Sequence, residues 1–165
     1  MKNTCEFCLE KTDLDYPYLL AITNHWRIYL ADQQNYPGRC FIPLNRHCAR
    51  FPDLTTEELV EFKIIAIAIE DIWREKLNIS CGNWACLMNG AYGKSVPDPH
   101  VHFHFIPRYK NPITFGGMTF IDENYGDHYE IQDAWALNLQ GRAEIIDLVK
   151  SPLQLRLKDI LKKIK

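Results

Sequence analysis

The chain has no apolar run of roughly 18 residues, so no helical membrane span and no membrane partner are expected. It also has no basic excess. Its formal net charge of −2 argues against a partner held by its phosphate backbone, so no nucleic acid is expected. Repeats, low-complexity tracts and linkers are absent, and the 165 residues read as one domain, 1–165, large enough to bury a core. The opening Met1-Lys2-Asn3-Thr4-Cys5 lacks the apolar stretch of a signal peptide, which makes the cytoplasm the expected location. With 47% apolar and 24% charged residues, the composition is that of an ordinary soluble globular protein.

Six cysteines are present, but in a chain of this length without a signal they read as reduced thiols. Cys40, Cys48, Cys81 and Cys86 sit among apolar neighbours and read as small buried hydrophobes. Cys5 and Cys8 differ, because Cys5-Glu6-Phe7-Cys8 is a spacing at which two thiolates can share one zinc ion.

Short strands are predicted at Tyr18 to Ile22, Trp26 to Leu30, Arg39 to Pro43, Trp84 to Met88 and Val101 to Pro107. Thr55 and Glu58 form a capping-box pattern ahead of Leu59, Phe62, Ala66, Ile69, Trp73 and Leu77, which predicts a helix over about 56–77. Gly, Asn and Pro between 110 and 130 predict a long surface loop, with a helical C-terminal extension over 131–165. Within that extension two helical stretches are expected. Ser151-Pro152 reads as the cap and first turn of the second, which carries Leu153, Leu157, Ile160 and Ile164 on one face. The order of elements predicts an antiparallel α+β domain.

The most informative segment is Asp98-Pro99-His100-Val101-His102-Phe103-His104-Phe105-Ile106-Pro107, with three of the six histidines at alternate positions. In a strand Val101, Phe103 and Phe105 would enter a core. His100, His102 and His104 would line the other face, their side chains starting about 6.5–7 Å apart. Imidazole serves near neutral pH as nucleophile, proton carrier or metal ligand, so the row points to an active site. A structural metal site could combine Cys5 and Cys8 with His47 and His100, whereas free cysteines and an exposed His47 are the plainer alternative. The row itself could instead be a surface strand, or a catalytic three-histidine metal centre.

The stretch from His100 to Ile106 matches the His-x-His-x-His-x-x motif, with apolar x, and resembles the histidine triad superfamily of nucleotide hydrolases and transferases. An N-terminal Cys-x-x-Cys, the Gly38 to His47 segment and Pro107-Arg108 after the triad follow the family's order, so the likeness spans roughly residues 5 to 110. It looks closest to bacterial and archaeal diadenosine tetraphosphate hydrolases, and more distant from galactose phosphate uridylyltransferases. The resemblance implies an antiparallel HIT-like sheet with one long helix packed on it, and one structural zinc per chain on Cys5, Cys8, His47 and His100. It makes His102 the nucleophile that attacks the α-phosphate of a nucleotide, with adenine the expected base, and puts His104 at the phosphate. By the same likeness Asn89 and Ser95 are phosphate contacts and Asp32 is a ribose contact. Pro97-Asp98-Pro99 makes the link from Val96 to His100 longer than in common members. The implied substrates are small nucleotides such as dinucleoside polyphosphates or nucleoside phosphoramidates, and a homodimer is an implied assembly. A nucleotide-binding or regulatory protein with little turnover remains the alternative, beside the three-histidine metalloprotein.

Overall fold

The computed structural model describes residues 5–9, 16–129 and 135–164. The opening Met1 to Thr4 and the first part of the C-terminal extension, 131–134, lie outside them. After a single helical turn, Glu6–Leu9 (α1), the apolar segments Leu19–Ile22 (β1), Arg27–Leu30 (β2) and Cys40–Pro43 (β3) pair in sequence. Cys81–Ala85 (β4) and His102–Arg108 (β5) complete an antiparallel sheet ordered β1-β2-β3-β5-β4. The α+β expectation and the helix over 56–77 both hold.

That helix, Thr56–Leu77 (α2), starts at a complete capping box in which Thr55 Oγ1 accepts from Glu58 N–H and Glu58 accepts from Thr55 N–H. It stops at Asn78, whose left-handed φ of 57° suits a short polar side chain. Phe62 and Trp73 pack against the strand beneath: Phe62 stacks on Phe103 with centroids 3.7 Å apart, and Trp73 meets Phe105 edge-on at 6.0 Å. Val101, Phe103 and Phe105 thus enter the core, as alternation requires.

Three elements differ from the sequence expectation. The strand expected at Trp84 to Met88 is shifted, because pairing runs from Cys81 opposite Arg108 to Ala85 opposite His104. Gly82 can sit there only as glycine, since a Cβ would come within 2.3 Å of the Phe105 ring. The single turn Asn89–Tyr92 (α3) follows it. The segment expected to be a surface loop carries a hairpin of Ile113–Phe115 (β6) and Met118–Phe120 (β7). Its turn residues Gly116 and Gly117 both have positive φ, 56° and 74°, as a two-residue hairpin turn demands.

The two C-terminal stretches are one helix, Leu139–Ile164 (α4), with Pro152 inside it. A proline there costs about 3 kcal/mol. Ile145, Val149, Leu153 and Leu157 form an uninterrupted buried stripe across that point, and their burial against α2 and β1 outweighs the broken turn. Gln154 also donates to Leu20 O at 2.8 Å. Among the described residues no helix is long and apolar enough to cross a membrane.

Gly38 joins the β2–β3 connection to α2. Its φ is +87°, its carbonyl accepts from Trp73 Nε1 at 2.8 Å, and a Cβ would lie 2.7 Å from that nitrogen. Gly38→Ala is expected to cost about 2–4 kcal/mol in urea unfolding, from backbone strain plus overpacking. A loss near zero would show that Trp73 yields freely.

Candidate active site and metal centre

Pairing of β3 with β5 sets Phe41 opposite His104 and Pro43 opposite His102. The same alternation that buries Phe103 and Phe105 turns His102 and His104 to the other face of the sheet. That face is covered as well, because His100, His102 and His104 are exposed by only 1%, 9% and 8%. Buried imidazoles must find partners or remain neutral.

His100 precedes the strand and is held by backbone bonds from Val101 N–H to Cys48 O and from Leu44 N–H to Val101 O. Its Nε2 is 2.8 Å from Leu44 O, so the proton belongs on that nitrogen and Nδ1 carries a lone pair. Nδ1 faces Cys5 Sγ at 3.2 Å and Cys8 Sγ at 3.5 Å, and His47 Nδ1 is 3.5 Å from Cys8 Sγ. All four donor atoms lie within 4.8 Å of one another. Edges of a tetrahedron built on zinc–sulfur and zinc–nitrogen bonds are about 3.3–3.8 Å, so the cluster fits such an ion. Burial raises the Cys5 thiol and pushes His100 down to about 4, and a divalent cation would reverse the first effect by favouring thiolate. Arg27 holds α1 against the sheet, donating from Nη2 to Phe7 O at 2.8 Å and to Leu44 O at 3.3 Å.

His102 faces elsewhere. Its Nδ1 donates to the carbonyl of His100 at 2.8 Å, which leaves Nε2 unprotonated. The Phe7 ring lies 4.7 Å from the His102 ring, between the two cysteines in sequence and above the triad in space. His104 stands 4.8 Å from His102, centroid to centroid. Its Nε2 approaches Leu87 O at 3.4 Å and its buried Nδ1 makes no hydrogen bond. Burial lowers His102, and burial followed by the neighbouring His102 and Arg39 charges lowers His104 to about 4. Both rings are neutral at pH 7.

The rings open into a cavity of about 340 Å³ lined by Phe7, Phe41, Lys94, Asp98 and the triad, within the range of small-ligand sites. A smaller recess of about 60 Å³, lined by Tyr16, Tyr29, Leu30 and Asp32, adjoins it, and Phe7 and Phe41 line both. Asp32 is exposed at the mouth of the recess and accepts from Tyr16 Oη at 3.2 Å. Asn89, at the start of α3, and Ser95 are exposed and are not among the cavity's lining residues; Gly90 and Lys94 are. Phe7, Phe41 and Lys94 were not anticipated. Phe7 could have been found from its position inside the Cys-x-x-Cys, and Phe41 from the strand alternation that puts it beside the histidines.

The HIT domain family matches residues 19–111. Among solved structures the fold is similar to a zinc-bound histidine triad family protein from Mycobacterium smegmatis, at 15% identity over 90% of this chain and 88% of that one, TM-score 0.56. It is also similar to a hypothetical histidine triad nucleotide-binding protein from Sulfolobus tokodaii, at 14% identity over 97% and 96%, TM-score 0.56. Plasmodium falciparum diadenosine triphosphate hydrolase aligns at 16% identity over 96% and 91%, TM-score 0.50. No curated protein matches the sequence.

The buried neutral His104 makes a pH prediction. Its folded value of about 4 lies below the unfolded 6.5, so the unfolded chain binds the proton first. Stability is therefore full above pH 6.5 and falls as the pH drops toward 4, by on the order of 3 kcal/mol for this one residue. Denaturant unfolding of His104→Gln should show a flatter acid limb than the parent. An unchanged slope would place the proton uptake on other groups.

Proposed function

The chain belongs to the HIT domain family, whose members are nucleotide-binding proteins and hydrolases, and on that premise we propose that it cleaves nucleotides at the α-phosphate through His102. The observation that carries this reading is the hydrogen bond from His102 Nδ1 to His100 O, which leaves the Nε2 lone pair as the nucleophile. In the first step Nε2 bonds to the α-phosphorus and the bond to the leaving group breaks, that group taking the electron pair. In the second, water oxygen bonds to phosphorus, its proton passes to solvent, and Nε2 regains its lone pair. His104, neutral and beside His102, offers the phosphoryl oxygens its Nε2–H, which the long 3.4 Å approach to Leu87 O leaves available, and low pH would remove the nucleophile by protonating it.

The recess and the cavity it adjoins together take the nucleoside, with Phe7 and Phe41, which line both, against the base and Asp32 accepting from ribose hydroxyls. Adenine is the proposed base. Contacts from Asn89 and Ser95 require their segment to fold over a bound phosphate, since neither lines the cavity as it stands. The metal cluster supports one zinc per chain on Cys5, Cys8, His47 and His100, as does the zinc-bound Mycobacterium smegmatis relative. A closed site with two thiolates supplies structural cross-linking rather than Lewis acidity. A three-histidine metal centre has no support, because the cluster takes His100 and excludes His102 and His104.

Intact-protein mass spectrometry during incubation with a panel of nucleotides should detect an acid-labile mass increase on His102. His102→Ala is expected to lose the adduct and to reduce turnover by at least about 10³-fold, while keeping about one zinc per chain. Full turnover in that variant, or zinc lost together with activity, would overturn the assignment.

The metal is expected to act through Phe7. Cys8→Ser should lower zinc content 10- to 100-fold at limiting metal and raise the KM more than it lowers kcat, because α1 carries the wall of the recess. Equal loss in both constants would argue against this link.

A further inference from the structure

Alternation along β3 buries Cys40 and Ile42 in the core, so Arg39 shares the other face with Phe41 and the histidines. Arg39 is only 8% exposed. Its guanidinium lies over the Phe41 ring, 5.4 Å from the centroid, and Phe41 in turn touches the His104 ring at 4.7 Å. Nη1 makes one hydrogen bond, a 3.3 Å contact to Asn35 Oδ1, and Nε makes none. Among the described residues no carboxylate pairs with it. The contrast is close by. Arg108, farther along β5 on the same face, is held by both carboxylate oxygens of Asp122 at 2.7 and 2.9 Å, with Asn124 O and Asp127 O completing its bonds. Guanidinium does not shed its proton, so Arg39 keeps a desolvated charge that an anion would satisfy.

Arg39 does not itself line the cavity; the Phe41 ring on which its guanidinium rests does. His104 stands between that ring and His102 along the same face, its own ring 4.7 Å from Phe41 and 4.8 Å from His102. We infer that Arg39 binds the phosphate adjoining the one that His102 attacks, which makes the substrate a nucleoside polyphosphate with an anhydride leaving group rather than a phosphoramidate. The inference rests on the reading of His102 given above. Arg39 would hold the departing phosphate by charge-assisted hydrogen bonds and share the negative charge that develops as the anhydride bond breaks.

Calorimetric titration of the full chain with AMP and with adenosine 5′-(α,β-methylene)diphosphate, whose bridge cannot be cleaved, isolates the second phosphate. The diphosphate analogue should bind at least about tenfold tighter than AMP, and the ratio should fall to about one in Arg39→Gln. Arg39→Lys should recover part of the ratio, which also covers the case in which the glutamine variant folds poorly. A ratio near one in the parent, a ratio kept in Arg39→Gln, or no binding of either nucleotide overturns the inference. An arginine-dependent ratio without any adduct on His102 would sink the reaction alone. An adduct with a ratio of one would sink the role of Arg39 alone.

Discussion

A strand buried on both faces cannot carry ionised side chains without a partner for each, and β5 is such a strand. One face gives Phe103 and Phe105 to the core under α2. The other gives imidazoles to a covered site, where main-chain carbonyls are the partners: Leu44 O for His100, His100 O for His102 and Leu87 O for His104. Each carbonyl selects a tautomer, and the tautomers assign the work. His100 keeps a lone pair on Nδ1 toward the two thiols, and His102 keeps one on Nε2, as the proposed metal ligand and nucleophile require. Burial then keeps all three neutral, so the pattern of alternate residues in the sequence becomes a pattern of chemical roles.

The remaining elements serve to hold that strand in register. β3 supplies Phe41 and Pro43 opposite the histidines, and Gly38 lets the connection before it press against Trp73. At the far end Arg108 ties β5 to the loop through Asp122, a buried pair satisfied from both sides. At the near end the two cysteines fold α1 back over the triad and bring Phe7 with it. The recess lined by Phe7 and Phe41 is therefore assembled from the cysteine-bearing turn on one side and the sheet on the other.

Much of this was legible in the chain. The capping box and apolar period fixed α2, and the alternation in β5 gave both its core face and its histidine face. Cys5, Cys8, His47 and His100 are drawn together across as many as 95 residues, as the spacing and the family likeness had suggested. What could not be read depended on tertiary fit. The register of β4 follows from a ring packing on Gly82, not from local apolarity. Pro152 looked like a helix start because the stripe that overrides it is buried by α2 and β1, elements distant in sequence. Gly116-Gly117 did carry a hairpin signal, hidden within a stretch of loop-like composition. Asn89 and Ser95 depend on how a link of unusual length is laid over the cavity, which no local pattern reports.

His100 answers to two masters. Its side chain belongs to the sulfur-rich knot, while its backbone oxygen steers the ring two residues on. The geometry of a single amino acid thus ties the thiol–imidazole cluster to the orientation of the His102 ring. Neither centre has room to drift independently, so mutational change at one would demand a compensating change at the other.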